Sequence, residues 1–470
     1  MFKKWHVLLL MVIFWSFPLF VLGQTKDYSK DSQKNYQGVI KAFVSENIGV
    51  SADYSFKLLV NGSFLELDSS VDWGNYVNRL VSLDGRLKLQ KDGLKVLEVE
   101  PKSVFALTPS PYDDMTLPPT SQGDYKVISV VVSVQQPSSP PIDPNYLTAE
   151  QALAPVFHNP KSARVFMDIA SSGRLKIVGY SNRINGDVAF VTINSQITNC
   201  QQQITSEWLT MVDERLRAQS IEPNNYNATI LTFNNLPGCS TQSIATFGDI
   251  GMMNTREWVI TNKNDMTGSR ANEMATHELG HTLGLLHSKA YRCTDQNNIP
   301  GSCVFREYGD ESCFMGTGQK LPNVYQRRRL GWHDQPFKQI QFSGRYNVYS
   351  PSTFSSPATK KLMSCQFCFI PLSGSLLGSS EYIESRRNYQ LFDVYDQILW
   401  PYRDGVKLIV GTDQLASFDA IPYIIDTTPS DTSTENAPLV LQSYSVAGVA
   451  VNHVSITNIT SGSGVVITLP

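Results

Sequence analysis

Residues 277–288 read HELGHTLGLLHS and hold three of the chain's seven histidines. An α-helix advances about 100° per residue, so residues four apart share a face, one turn apart. His277 and His281 therefore aim two imidazoles in one direction. Glu278 sits a further 100° or so around the helix, poorly placed as a ligand on that face but well placed to reach a water in front of it. His287 comes six residues after His281, and on a continuing helix it would point about 120° away. The chain must therefore stop and turn back, and Gly284 tolerates the left-handed backbone that ends helices. Two ligands on a helix, a turn and a third ligand beyond it give three nitrogen donors and an open fourth position, the donor set of a catalytic zinc. Zinc in such a site acidifies water and polarises a carbonyl. Glu278 is then the candidate general base, taking a proton and passing it to the leaving amine.

The same stretch, HELGHTLGLLH, resembles the HExxHxxGxxH signature of the metzincin metallopeptidases. Farther on, YGDESCFMG (308–316) resembles the YGD-x-S-x-x-MG pattern of the gametolysin-like family. RRRLGW (327–332) and EYIESRRNYQLFD (381–393) resemble downstream segments of these and related zinc peptidases. The resemblance covers about residues 126 to 430. It implies a zinc-dependent endopeptidase with His277, His281 and His287 on one zinc ion, Glu278 as catalytic base and Met315 as the methionine turn beneath the metal. It also implies that the strand before the zinc helix binds extended peptide by strand addition, through backbone near Gly248, Ile250 and Met252. Ser288 is a feature shared with matrixins. However, no cysteine precedes residue 200, and His158 is the one histidine between the leader and the zinc helix. The astacin tyrosine two places after the methionine is here Thr317. Without a cysteine upstream, latency has to use another ligand, such as a carboxylate, or steric cover.

A chain of 470 residues exceeds one ordinary core. Lys3 and Lys4 precede an apolar run, Pro18 and small residues, which reads as a secretory signal cleaved near Gly23. An uncleaved N-terminal anchor is the alternative reading, and the periplasm an alternative destination to the extracellular space. Short alternating runs over 24–107 predict a β-rich pro-domain. Residues 108–125 are rich in Pro, Ser and Thr and read as a linker where activation cleavage is expected. Residues 126–335 mix strand and helix patterns and form the predicted catalytic domain. Residues 336–470 read as a β-sandwich-like domain. The expected fold class is thus α+β, a twisted mixed sheet with a long zinc-binding helix, flanked by all-β domains on both sides. Ile204, Trp208, Met211 and Val212 follow helical spacing. Arg327 to Arg329 read as a solvated face.

A net charge of −3 and a pI near 6.2 lack the basic footprint of a nucleic-acid or anionic-membrane binder. The expected partners are protein or peptide substrates, with glycoprotein or cell wall as candidate sources, and no membrane once the leader is removed. All seven cysteines lie at or beyond residue 200. In an exported protein they predict disulfides, and their odd number leaves at least one thiol over. Asp426, Asp431 and Glu435 offer oxygens for calcium, though their spacing fits no calcium motif. A rival reading is a surface-binding protein whose β regions do the work and whose zinc is only structural.

Overall fold

The computed structural model describes residues 33–47, 51–89, 95–108, 121–135, 146–194, 206–234, 243–248, 256–293, 303–310, 313–317 and 320–333, and beyond them a set of strands between 338 and 468. The leader at 1–23, most of the linker, Ile250, Met252, the Asp426–Asp431–Glu435 loop, Cys200 and Cys239 lie outside the described residues. No described helix is long and apolar enough to cross a membrane.

The N-terminal part contributes strands β1 (Lys34–Asn47), β2 (Ser51–Val60), β3 (Ser63–Leu67), β4 (Leu80–Leu89), β5 (Lys95–Val99) and β6 (Phe105–Ala106). Next come β7 (Gly123–Gln135), β8 (Leu175–Val178), β9 (Asp187–Asn194), β10 (Ala228–Phe233), β11 (Ser243–Thr246) and β12 (Glu257–Asn262). The helices are α1 (Ala149–Leu153), α2 (Ala163–Ala170), α3 (Ser206–Ala218), α4 (Lys263–Thr267), α5 (Ala271–Thr282) and α6 (Val324–Leu330). The architecture is mixed α/β, with extensive sheets and few helices.

All twelve strands belong to one sheet, ordered β6-β4-β5-β3-β2-β1-β11-β12-β10-β7-β8, with β9 on β7. Strand β10 is parallel to both β7 and β12, and its six residues are all buried, as expected where a sheet is covered on both faces. Alternate side chains divide between two cores. Val127, Ile230 and Val259 pack with Phe166 of α2 and Leu279 of α5, while Ile128, Leu231 and Ile260 pack with Trp208 and Val212 of α3. The zinc-motif helix is therefore clamped between the sheet and α2.

Strand β1 joins the N-terminal strands to the rest. Its first half pairs antiparallel with β4, and Phe43 to Glu46 pair antiparallel with β11. The N-terminal strands thus continue the sheet formed by β7 to β12.

Strand pairing also runs across residue 335, where a domain boundary is expected. Strand β13 (Lys289–Cys293) pairs with β14 (Cys303–Arg306) on one side. Downstream lie β15 (Lys338–Gln339), β16 (Gly344–Val348), β17 (Ser364–Cys365), β18 (Cys368–Pro371), β19 (Ser379–Arg386), β20 (Gly405–Thr412) and β21 (Tyr423–Ile425). Strand β13 is parallel to β21, which gives a seven-stranded sheet β14-β13-β21-β20-β19-β18-β15. The strands just after the third histidine therefore belong to the same sheet as residues past 336. Register places Cys293 opposite Cys303. Cys313 is a buried thiol that donates to the side-chain amide oxygen of Gln326 (Oε1) at 2.7 Å.

The arginines of α6 correct an expectation. Arg327 and Arg329 are buried rather than solvated. The Arg327 guanidinium donates to the carbonyls of Pro322 and Ala170, and that of Arg329 lies 5.9 Å from the Phe247 ring. Guanidinium groups that donate to several carbonyls are tolerated inside because their charge is spread over those bonds.

Candidate metal centre

Helix α5 carries His277, Glu278 and His281, and all three are buried. It ends as the glycine predicts. Gly284 has φ of 85°, and its N–H donates to the His281 carbonyl at 2.8 Å. The chain then doubles back and delivers His287 to the same point. The imidazole centroids lie 4.9–5.3 Å from one another.

Each ring is oriented through its Nδ1. His277 Nδ1 lies 2.7 Å from the Phe314 carbonyl and His281 Nδ1 lies 2.6 Å from the Leu285 carbonyl. A carbonyl only accepts, so both Nδ1 atoms carry the proton and the Nε2 lone pairs are left bare. His287 Nδ1 faces Glu307 Oε1 at 3.1 Å, with the Tyr54 hydroxyl at 3.4 Å.

The three Nε2 atoms converge on a fourth group, the carboxylate of Glu46 on β1. Glu46 Oε1 contacts His281 Nε2 and lies 2.8 Å from His287 Nε2; Oε2 lies 3.2 Å from His277 Nε2. Glu46 is completely buried, and its Oε2 and His277 Nε2 make no hydrogen bond. Three bare imidazole nitrogens and a carboxylate facing one another without a donor between them repel, unless a cation sits among them. His281 Nε2 and His287 Nε2 are 3.2 Å apart. Two nitrogens on a tetrahedral ion at about 2.0–2.1 Å stand roughly 3.3 Å from each other. The donor set and its spacing fit a divalent transition metal.

Glu278 Oε1 accepts a hydrogen bond from the hydroxyl of Ser243, the first residue of β11, while its Oε2 has no partner. Burial, and next the charge on Glu46, push the Glu278 carboxyl well above the usual range, against the pull of the Ser243 hydroxyl. His281 is pushed down to about 4 by burial, in spite of Glu46.

Met315 is fully buried in the turn beneath this cluster. Its carbonyl accepts the Ser288 N–H at 2.8 Å, while the neighbouring Phe314 carbonyl holds His277. One turn of backbone thus supports the first ligand and the residue after the third. Of the residues expected to bind substrate, Gly248 is buried with its N–H donated to the His281 carbonyl at 3.0 Å, so it ties β11 to the helix end. The backbone that pairs with another strand lies earlier, at Ser243 to Thr246.

Glu46, Ser243 and Glu307 are absent from a reading of the motif alone. Glu46 does leave a trace. Ile40, Ala42 and Val44 alternate onto one buried face of β1, and the next place on that face holds a carboxylate. A charged residue continuing an apolar alternation is a cue for an inward-facing ligand.

Residues 236–367 match the family model described as Gametolysin peptidase M11. The match spans the zinc-motif helix, the turn after it and the methionine turn. The match supports a gametolysin-like metallopeptidase over this part of the chain, a family whose substrates are protein or peptide chains. Comparison with curated proteins gives no match.

Proposed function

We propose that the chain is an exported zinc endopeptidase of metzincin type, with His277, His281 and His287 as the zinc ligands, Glu278 as general base and Met315 as the support beneath the ion. One observation carries this reading: three imidazoles point bare Nε2 atoms at one spot because their Nδ1 atoms are engaged elsewhere. Zinc held there supplies Lewis acidity and a lowered pKa for water.

The chain's own groups do the rest. The Ser243 hydroxyl fixes one oxygen of Glu278, which leaves Oε2 as the atom that takes a proton from water and later delivers it to the leaving amide nitrogen. The β11 backbone at Ser243 to Thr246, paired here with β1, is where an extended peptide can align once that strand is displaced. Export is supported by the basic and apolar leader at 1–23. Substrates drawn from extracellular matrix glycoproteins or cell walls fit that destination.

Glu278→Gln keeps all three nitrogen ligands. It should retain one zinc per chain while losing casein hydrolysis by at least about 100-fold. A variant as active as the parent would remove Glu278 from the mechanism, and a parent chain that takes up no zinc would remove the whole reading.

A second reading, zinc held for structure alone, draws on Glu46. Four protein donors and no open position are the mark of a structural site. That observation concerns one strand of the N-terminal part, and it leads to the next inference.

A further inference from the structure

We infer that β1 is a built-in occupant of the substrate edge and that Glu46 is the removable fourth ligand of the metal, so that the chain as synthesised is latent. The inference rests on the metal site proposed above and adds its regulation.

Three observations point the same way. First, the carboxylate of Glu46 reaches all three ligand nitrogens, and the four donor atoms lie within 4.8 Å of one another. The position that catalysis keeps for water is thereby filled by protein. Second, β1 is not merely near the cleft. Phe43, Val44, Ser45 and Glu46 run antiparallel to Thr246, Ala245, Ile244 and Ser243. Those are the backbone groups an incoming peptide would use, and Ser243 is also the partner of Glu278. Third, the strand is anchored on both faces. Ala42 and Val44 pack with Phe247 and Leu286, Phe43 packs with Trp258 and Ile260, and the Lys41 ammonium meets Glu257 at 2.7 Å. Leu286 immediately precedes the third ligand, so β1 packs directly beside the site.

No cysteine exists upstream of residue 200 to block the ion. A carboxylate is a weaker zinc ligand than a thiolate but needs no redox partner to hold or release it. Withdrawal of β1 would open the fourth position and free a four-residue edge in one step.

The test uses the full chain and three variants, Glu46→Ala, Glu46→Gln and, as a control on an exposed acid of β2, Asp53→Asn. Each is loaded with one equivalent of zinc. X-ray absorption at the zinc edge, binding of a peptide hydroxamate and hydrolysis of a fluorogenic peptide are then measured. The parent and Asp53→Asn are expected to show three nitrogens and a carboxylate oxygen, to exclude the hydroxamate and to hydrolyse slowly. Both Glu46 variants are expected to exchange the carboxylate for water, to bind the hydroxamate and to hydrolyse at least about tenfold faster. Zinc bound in a parent that admits hydroxamate as readily as Glu46→Ala would overturn the latency and leave the peptidase standing. Hydroxamate binding gained without hydrolysis would support Glu46 as the block and overturn the catalytic reading. The parent's absorption spectrum and hydroxamate exclusion need no variant to fold, and water as fourth ligand in the parent would by itself refute the inference.

Discussion

A β-carbon placed on Gly280 would stand 2.3 Å from the sulfur of Met315 and 2.7 Å from the ring of Phe314. The glycine inside HELGH is therefore a clearance for the turn below, not a flexible point in the helix. Alanine normally favours a helix interior over glycine by about 1 kcal/mol. Overpacking a filled core costs about 1–3 kcal/mol, and here the cost falls on the turn that holds His277 through Phe314. Gly280→Ala is expected to lower unfolding free energy by about 1–2 kcal/mol and zinc affinity by about tenfold. Adding Met315→Ala should recover part of the loss, because the Phe314 ring still crowds the new methyl. Urea unfolding and competition with a zinc chelator read both effects; additive losses in the double variant would refute the steric account.

Asp310 makes the aspartate of YGD a strut. Its Oδ2 accepts from the Ser288 hydroxyl at 2.7 Å and from the Asn323 amide at 3.0 Å, and its N–H donates to the Ser288 carbonyl at 3.1 Å. Asn323 also donates to the Ser288 hydroxyl at 2.8 Å and caps α6 through Gln326 N–H. All three residues are buried. Asp310→Ala would strand two donors without water, costing about 3 kcal/mol. Because Ser288 follows His287, zinc affinity should fall by about 10–100-fold. Thermal unfolding with and without zinc measures the two effects, and an unchanged zinc affinity would separate the strut from the metal.

The helix, its stop and the convergence of three histidines were legible in the sequence because each follows from a local period or from one glycine. The register of Gly280 against Met315 was not, since it depends on how a turn 35 residues away packs beneath the helix. Glu46 lies further still, 231 residues before His277, and only strand pairing brings it in. Arg327 and Arg329 were misread for a related reason. A charge run looks solvated until tertiary carbonyls, such as that of Ala170, are placed around it. The parallel pairing between β13 and β21 was not legible either, since it joins segments more than 130 residues apart.

Asp265 on α4 offers a pH handle apart from the metal. Burial pushes its carboxyl up to about 6 from an ordinary 3.8, against the opposing pulls of the Asn262 cap and Arg270, and its Oδ2 is buried without a hydrogen bond. A carboxyl whose pKa is raised on folding favours the folded state while protonated. Its contribution is complete below about 3.8 and is lost as pH rises through about 6. Asp265→Asn keeps the shape without the charge, so it should be more stable than the parent at pH 7 and match it near pH 4. Chemical denaturation at the two pH values tests the sign; a variant less stable at pH 7 would refute it.

The Lys41–Glu257 pair bears on the register of β1. Its side chains are 5% and 1% exposed, and it ties β1 to the start of β12. Breaking it with Lys41→Met leaves a buried carboxylate uncompensated and should cost about 3–5 kcal/mol, whereas Lys41→Met with Glu257→Met should restore most of that stability. The two outcomes differ in register as well as in energy. Ala42 and Val44 are apolar and alternate, so a slip of β1 by two residues would keep the same face buried and lose little. A buried ion pair rejects such a slip, because Lys41 meets Glu257 only where Glu46 meets the histidines. The double methionine variant is therefore expected to unfold near the parent's urea midpoint yet to admit a peptide hydroxamate to the zinc. Parent-like exclusion in that variant would show that apolar packing alone sets the strand, and the ion pair would lose its role in register.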